Sequence, residues 1–358
     1  MSHYPGFRKR MALNVFKKYV DVQAKLHDLR YLFWECTLRC NAACRHCGSD
    51  CSRDSSTPDM PAEDFLNVAR QIKDVMNPNN VMVVVTGGEP LVRDDLDATG
   101  LELYKMGFPW GFVTNGHLLT ETRMKSLMNA GLHSVTVSLD GLQESHNWIR
   151  GVKNSFDMSV NAISLVTKQS QLTYDVVTCV NKKNYGELDE IYKLLVELGV
   201  KKWRLFTIIP IGRAAEEPLF HVSNEEFRGL MDFIVKVRKE KKIHASFSCE
   251  GYIGDYENEA RDGFFFCPAG INIASVLADG AISACPNNDR SFVQGNIYTD
   301  NFPEVWENRF GVMRDRSWAK TGICADCKSF KWCRGNGLHL HRPGNDDPLR
   351  CHYALITN

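Results

Sequence analysis

Arg39-Cys40-Asn41-Ala42-Ala43-Cys44-Arg45-His46-Cys47 follows the apolar run Tyr31-Leu-Phe-Trp34. Five cysteines crowd this region: Cys36, Cys40, Cys44, Cys47 and Cys51. Only the register that starts at Cys40 gives gaps of three residues and then two. Starting at Cys36 puts Ala43 in third place, and starting at Cys47 puts Asp54 there. Three closely spaced thiolates on one loop can each ligate a corner iron of a [4Fe-4S] cube, leaving the fourth iron without a protein ligand. CxxC elements are also common in zinc sites, so the spacing by itself keeps zinc open.

The 358 residues are 44% hydrophobic, enough to bury one large core and a smaller second domain. Lys plus Arg and Asp plus Glu both number 43 and no basic tract stands out, which argues against a nucleic-acid partner. Residues 1–10 lack the apolar segment of an export signal, and no apolar run approaches the roughly 20 residues of a membrane span. A cytoplasmic location with no membrane partner is therefore expected. Thirteen cysteines in such a chain point to metal or cluster ligation, because the cytosol keeps thiols reduced. Cys179, in the apolar run 176–180, reads as an ordinary buried cysteine.

Residues 8–28 place Met11, Val15, Tyr19, Val22 and Leu26 at helical spacing, which predicts an N-terminal helix, within a unit 1–30, packed on the body. Strand-like runs at 31–36, 81–86, 110–114, 133–139, 173–180 and 202–209 then alternate with helical patterns near 61–76, 94–106, 120–130, 156–169, 184–199 and 223–241. Near-continuous apolar strands such as Val81-Met-Val-Val-Val85, separated by amphipathic helices, predict a parallel sheet of right-handed βα units. The expected class is α/β: a partial (β/α)6 barrel of the TIM type over 31–242, with functional residues where strands end. The charged, Gly- and Tyr-rich stretch 250–262 breaks the alternation, and a cysteine-rich domain is expected over 243–358. Within it, 274–285 reads as a β-hairpin turning at Asp279-Gly280.

The cysteine run followed by Thr86-Gly87-Gly88-Glu89-Pro90 resembles the radical S-adenosylmethionine (SAM) superfamily. In that family the three cysteines hold the open-iron cluster and the glycine turn meets the amino group of SAM. The resemblance implies a pocket built from Gly87, Gly88 and Glu89, with His46 from the cysteine loop. Thr114 and Asn115 belong to it through a TNG turn after the third strand, and Ser138 and Asp140 through the end of the fourth. Arg150, in His146-Asn-Trp-Ile-Arg150-Gly, would face the SAM carboxylate, which a guanidinium can grip through two parallel hydrogen bonds. Asn181 would reach the ribose or methionine moiety and Ile209 would line the adenine. Plain structural roles stand beside these: a strand-to-helix turn for the glycines, local turn bonds for Ser138 and Asp140, a surface position for Arg150.

The later cysteines resemble the SPASM extension, which carries auxiliary iron-sulfur clusters in relatives that mostly modify peptides and proteins. On that resemblance Cys324, Cys327, Cys333 and Cys351 ligate one cluster fully. For a second, Cys267 and Cys285 match, Cys249 is a further upstream candidate, and the cysteine usual four positions after Cys333 is Gly337. This second cluster has an open iron, takes a non-cysteine ligand such as His339 or His341, or is absent. A zinc-stabilised knuckle is the alternative for the whole domain. The acid that acts as base in sulfatase-maturating relatives is Pro286 here, which speaks against that activity.

The function implied is reductive cleavage of SAM to a 5′-deoxyadenosyl radical, with ferredoxin or flavodoxin as electron donor. The radical takes hydrogen from a peptide or protein side chain, which is then oxidised or cross-linked. No stretch before residue 30 is long enough for a separate leader-binding domain, so recognition is expected at the barrel mouth, the C-terminal domain or another protein. Two other readings remain: radical chemistry on a small molecule such as a tetrapyrrole or cofactor precursor, and a non-enzymatic zinc or iron-sulfur protein. Glu35, Asp50 and Asp279 are candidate proton acceptors that nothing ranks.

Overall fold

The computed structural model describes residues 4–49, 51–215, 217–248 and 250–357. Helix α1 (Phe7–Leu26) precedes a run of parallel strands, each hydrogen-bonded to the next. These are β1 (Tyr31–Glu35), β2 (Met82–Thr86), β3 (Trp110–Thr114), β4 (Leu132–Ser138), β5 (Thr173–Val180), β6 (Lys202–Thr207) and β7 (His244–Phe247). Helices α2 (Ala62–Val75), α3 (Leu96–Met106), α4 (Glu121–Asn129), α5 (Gln143–Arg150), α6 (Ser155–Thr167), α7 (Leu188–Glu197) and α8 (Asn224–Glu240) make the crossovers.

The strands form because β-branched runs bury one face fully and the other in part, Met82 and Val84 of β2 being half-buried. Val83, Val85, Val135, Val137 and Val176 are at most 1% exposed. The helices answer with one apolar stripe each, as in α7, where Leu188, Ile191, Tyr192 and Leu195 are buried at spacings of three and four. Trp34 of β1 stacks on Phe65 of α2 with ring centroids 4.5 Å apart, locking the first crossover beside the cysteine loop.

The six strands expected from the sequence are joined by β7, which lies past residue 242 and continues the sheet through the expected domain boundary. The hairpin turning at Asp279-Gly280 is present as β8 (Ile273–Val276) and β9 (Ala281–Ser283), and β10 (Gly295–Asn296) pairs with β9. β8 pairs in parallel with β1, Tyr31 opposite Ile273, so the hairpin extends the barrel sheet from its other edge. The order is β10-β9-β8-β1-β2-β3-β4-β5-β6-β7.

Helix α1 packs on the body through a different face from the one its sequence suggests. Met11, Val15, Tyr19, Val22 and Leu26 are 50–70% exposed. Leu13 and Val20 are buried instead, Phe16 meets Phe264, Asn14 accepts from Trp332 Nε1 at 2.9 Å, and Asp21 pairs with Arg334. The helix is apolar on two sides, and the docked side is the one whose polar neighbours have partners waiting. Among the described residues no helix is long and apolar enough to cross a membrane.

Candidate active site

The parallel βα repeat sends every strand's C-terminal end to one rim, where the loops after β1 to β4 meet. The loop after β1 is clamped at both ends by Arg93, whose Nη1 donates to Cys36 O at 2.8 Å and Met60 O at 2.9 Å. Arg213 clamps its middle: Nε donates to Cys44 O at 2.8 Å, Nη1 to Cys51 O at 3.1 Å, and its own amide to Cys47 O at 3.1 Å. Cys40 N bonds Ser52 O, so the loop closes on itself and turns its thiols inward.

Cys40, Cys44, Cys47 and Cys51 line one cavity of about 190 Å³ with His46, Gly87, Gly88, Glu89, Thr114, Asn115, Ser138, Arg150 and Arg213. The glycine turn is pressed against the cysteine loop. Gly88 N donates to Thr37 O and Glu89 N to Arg39 O. A Cβ on Gly88 would lie 2.2 Å from Arg39 O and 3.1 Å from Cys40 Cβ, and Gly87 has φ +135°. Gly88→Val therefore displaces the loop.

Glu89 is fully buried and accepts from Thr114 Oγ1 at 2.8 Å, Asn115 N at 2.8 Å and Leu91 N at 3.1 Å. Burial nonetheless pushes its carboxyl up to about 7, against those donors. Asp140, behind the cavity wall, faces Arg150 Nη2 at 2.5 Å and His46 Nε2 at 3.7 Å, and accepts from Cys179 N at 2.7 Å. Burial works to raise its pKa, but Arg150 holds it below the usual carboxylate range. Burial lowers His46 to about 4, so its ring is neutral.

Two buried polar atoms in this group, Arg150 Nε and His46 Nδ1, have no hydrogen-bond partner among the described residues. Such unmet capacity around a cavity suits a polar ligand. All twelve described cysteines are free thiols. Among the described residues no three His, Cys, Asp or Glu side chains converge on a single-ion position. A cube asks each thiol for a separate corner instead. The residues present thus fit an open-iron cluster with a zwitterionic ligand beside it.

Cys324, Cys327, Cys333 and Cys351 form a second group. Burial and then the other three thiols raise the pKa of Cys333, and burial with Cys351 and Cys327 pushes Cys324 up to about 11. Cys267 is buried elsewhere, accepting from Arg316 Nη2 at 3.2 Å and Leu338 N at 3.4 Å. Burial pushes that thiol up, but the guanidinium and the amide outweigh it. The hairpin register puts Cys285 at the hairpin's open end, where the Ala269–Ile273 bridge also leads from Cys267.

The family model for the radical SAM superfamily matches residues 34–195, and that for the SPASM iron-sulfur cluster-binding domain matches 267–328. The mycofactocin maturase MftC of Mycolicibacterium smegmatis is 31% identical over 312 residues, covering 85% of this chain and 76% of that protein. The chain belongs to the radical SAM superfamily. Its relatives also include an AdoMet-dependent heme synthase of Oleidesulfovibrio alaskensis, 26% identical over 86% of this chain and 82% of that protein. Among solved structures, anSMEcpe with bound AdoMet has a similar fold, with TM-score 0.71 and 19% identity over 91% of this chain and 94% of that one. This radical SAM fold is the α/β open barrel described above, with its SPASM extension.

Not every residue assigned to the pocket from sequence reaches it. Asn181 is buried, but its Oδ1 accepts from Lys183 N at 2.9 Å and its Nδ2 donates to Cys179 O at 3.1 Å, so a local turn engages it. Ile209 is not among the lining residues; the 208–213 segment contributes Arg213 instead. Asp140 braces Arg150 rather than lining the cavity. Cys249 and Asp50 lie outside the described residues. Glu35 accepts from Ala278 N at 3.1 Å and Asp279 pairs with Arg290, which leaves both in structural roles. Sequence reasoning missed the clamps Arg93 and Arg213, because a side chain that caps loop carbonyls has neither spacing nor motif.

Proposed function

We propose that Cys40, Cys44 and Cys47 hold a [4Fe-4S] cluster and that the adjoining cavity takes SAM, the enzyme then modifying a peptide or protein side chain. The observation that carries this is the meeting of the cysteine loop and the Gly87-Gly88-Glu89 turn on one cavity. When bound, the cluster supplies the electron that splits SAM into methionine and a hydrogen-abstracting 5′-deoxyadenosyl radical. Gly87 and Gly88 let the ligand approach the backbone, and Glu89 meets the ammonium group. Arg150, held by Asp140, faces the carboxylate, and Ser138 and Asn115 offer hydrogen bonds to the sugar side. The buried wall excludes water and the clamped loop keeps the thiols in place. Ferredoxin or flavodoxin serves as reductant, and Cys324, Cys327, Cys333 and Cys351 would hold an auxiliary cluster, which would supply an electron acceptor near the substrate.

Glu89 sets a pH dependence. In the free protein its carboxyl titrates near 7. A cationic ligand favours the ionised form, so protons compete with SAM as pH falls. SAM affinity is expected to drop about tenfold from pH 8 to pH 6. The sign is opposite for the free fold: neutral Glu89 is the favoured form, so its contribution is full below the ordinary carboxyl pKa and fades as pH rises through 7. Equilibrium binding at the two pH values, with Glu89→Gln as a flat control, checks the first effect.

The peptide reading is supported by the maturase relative at 31% identity. A tetrapyrrole substrate is the second reading, favoured by heme synthase relatives at 24–28% identity over 82–92% of their lengths. Reduced protein given SAM and either a deuterated candidate peptide or a deuterated porphyrin decides between them. Deuterium appears in 5′-deoxyadenosine only with the substrate class that binds. Label from the porphyrin alone would overturn the peptide reading.

A further inference from the structure

We propose that His339 is a nitrogen ligand of the auxiliary cluster built on Cys267 and Cys285, standing in for the thiol missing at Gly337. This rests on the reading that the SPASM region holds clusters, and goes on to name the ligand of the incomplete one. The first observation is steric. A Cβ on Gly337 would lie 2.5 Å from His339 Cε1, 2.8 Å from Glu250 O and 2.9 Å from His339 Nδ1, so the imidazole, beside the Glu250 carbonyl, fills the space into which a side chain at 337 would project. Glycine at 337 and histidine at 339 are one arrangement: the first makes room for the ring of the second.

The second observation is an unmet nitrogen. His339 is 8% exposed, and its Nε2 is buried without a hydrogen-bond partner among the described residues. A buried imidazole nitrogen left so is rare unless something absent from the polypeptide binds it. The third is position. The amide of Leu338, the residue before it, donates to Cys267 Sγ at 3.4 Å. Arg316 ties the same segment to the same thiol, giving Nη1 to Asn336 O at 3.0 Å and Nη2 to Cys267 Sγ at 3.2 Å.

His341, the other histidine of the segment, is otherwise engaged. Its Nε2 bonds Gly335 O at 2.6 Å and its ring stands edge-on to Trp318 at 5.0 Å. Neutral imidazole is an established ligand to cluster iron and raises the reduction potential relative to thiolate.

The test uses the full-length chain carrying Cys40→Ala, Cys44→Ala and Cys47→Ala, reconstituted without oxygen, so that only SPASM clusters remain. About eight irons are expected, and pulsed EPR of the reduced protein should show a strong ¹⁴N coupling that becomes a ¹⁵N coupling when the protein is grown with ¹⁵N-histidine. His339→Cys should keep the iron and lose the coupling. His341→Ala should keep both. A coupling that survives His339→Cys, eight irons with no nitrogen coupling, or only about four irons would each overturn the assignment. Zinc in place of iron in the wild type would remove it together with the reading it rests on, an outcome distinct from an iron-loaded protein without the coupling.

Discussion

Replacing Cys40, Cys44 and Cys47 together by alanine is expected to lower 5′-deoxyadenosine formation by more than about a thousandfold, because no group in the polypeptide replaces the cluster as electron donor to SAM. The fold should survive. These thiols lie on a loop held by Arg93, Arg213 and the Cys40–Ser52 amide bond, none of which uses a sulfur atom. The four thiols at 324, 327, 333 and 351 are a separate group and should keep about four irons, with about four more at the cluster on Cys267 and Cys285. Product analysis by mass spectrometry, with iron counted on the same sample, separates loss of chemistry from loss of structure. Unchanged 5′-deoxyadenosine would mean that SAM is cleaved elsewhere.

Arg150→Met is expected to destabilise the fold by about 3–5 kcal/mol. Asp140 has no exposed surface and meets Arg150 at 2.5 Å, with neutral His46 as its nearest other ionisable partner. Removing the guanidinium leaves a buried carboxylate with little beyond the Cys179 amide to compensate it. The double variant Asp140→Leu/Arg150→Met removes both charges and should recover most of the loss. Denaturant midpoints for the two single variants and the double one measure this coupling. SAM binding should stay weak in both variants that lack Arg150, since Arg150 lines the cavity. If Arg150→Met were as stable as wild type, the pair would be water-screened and the cavity floor wetter than its burial indicates.

Much of the barrel was legible in the sequence, for a physical reason. Strands that bury one face fully and the other in part are almost wholly apolar, as 81–85 are, and the crossovers between them carry a single stripe, as α7 does. The hairpin announced itself through Asp279-Gly280, whose glycine has φ +84°. Strand β7 did not, because its four residues include the polar His244 and Ser246 and follow a lysine-rich stretch. Helix α1 was read on the wrong face because both faces are apolar, and only its partners Trp332, Arg334 and Phe264, far along the chain, decide which one docks.

The site divides in the same way. Cys40, Cys44, Cys47 and the glycine turn, which meet on one cavity, were visible because clustered thiols and close backbone approach stand out as residue type at fixed spacing. Asn181 was drawn into the pocket by its place at a strand end, where local turn bonding wants the same residue. Arg93 and Arg213 went unseen because their work is to satisfy carbonyls of a loop distant in sequence. The choice between His339 and His341 needed coordinates, since only they show which ring nitrogen is already bonded.

The most direct test of the central claim is the EPR spectrum of anaerobically reconstituted, reduced protein with and without SAM, alongside metal analysis. The account predicts iron rather than zinc, and a [4Fe-4S] signal that shifts on adding SAM and is missing from the Cys40→Ala/Cys44→Ala/Cys47→Ala variant. Zinc with little iron, or an iron signal indifferent to SAM, would contradict it.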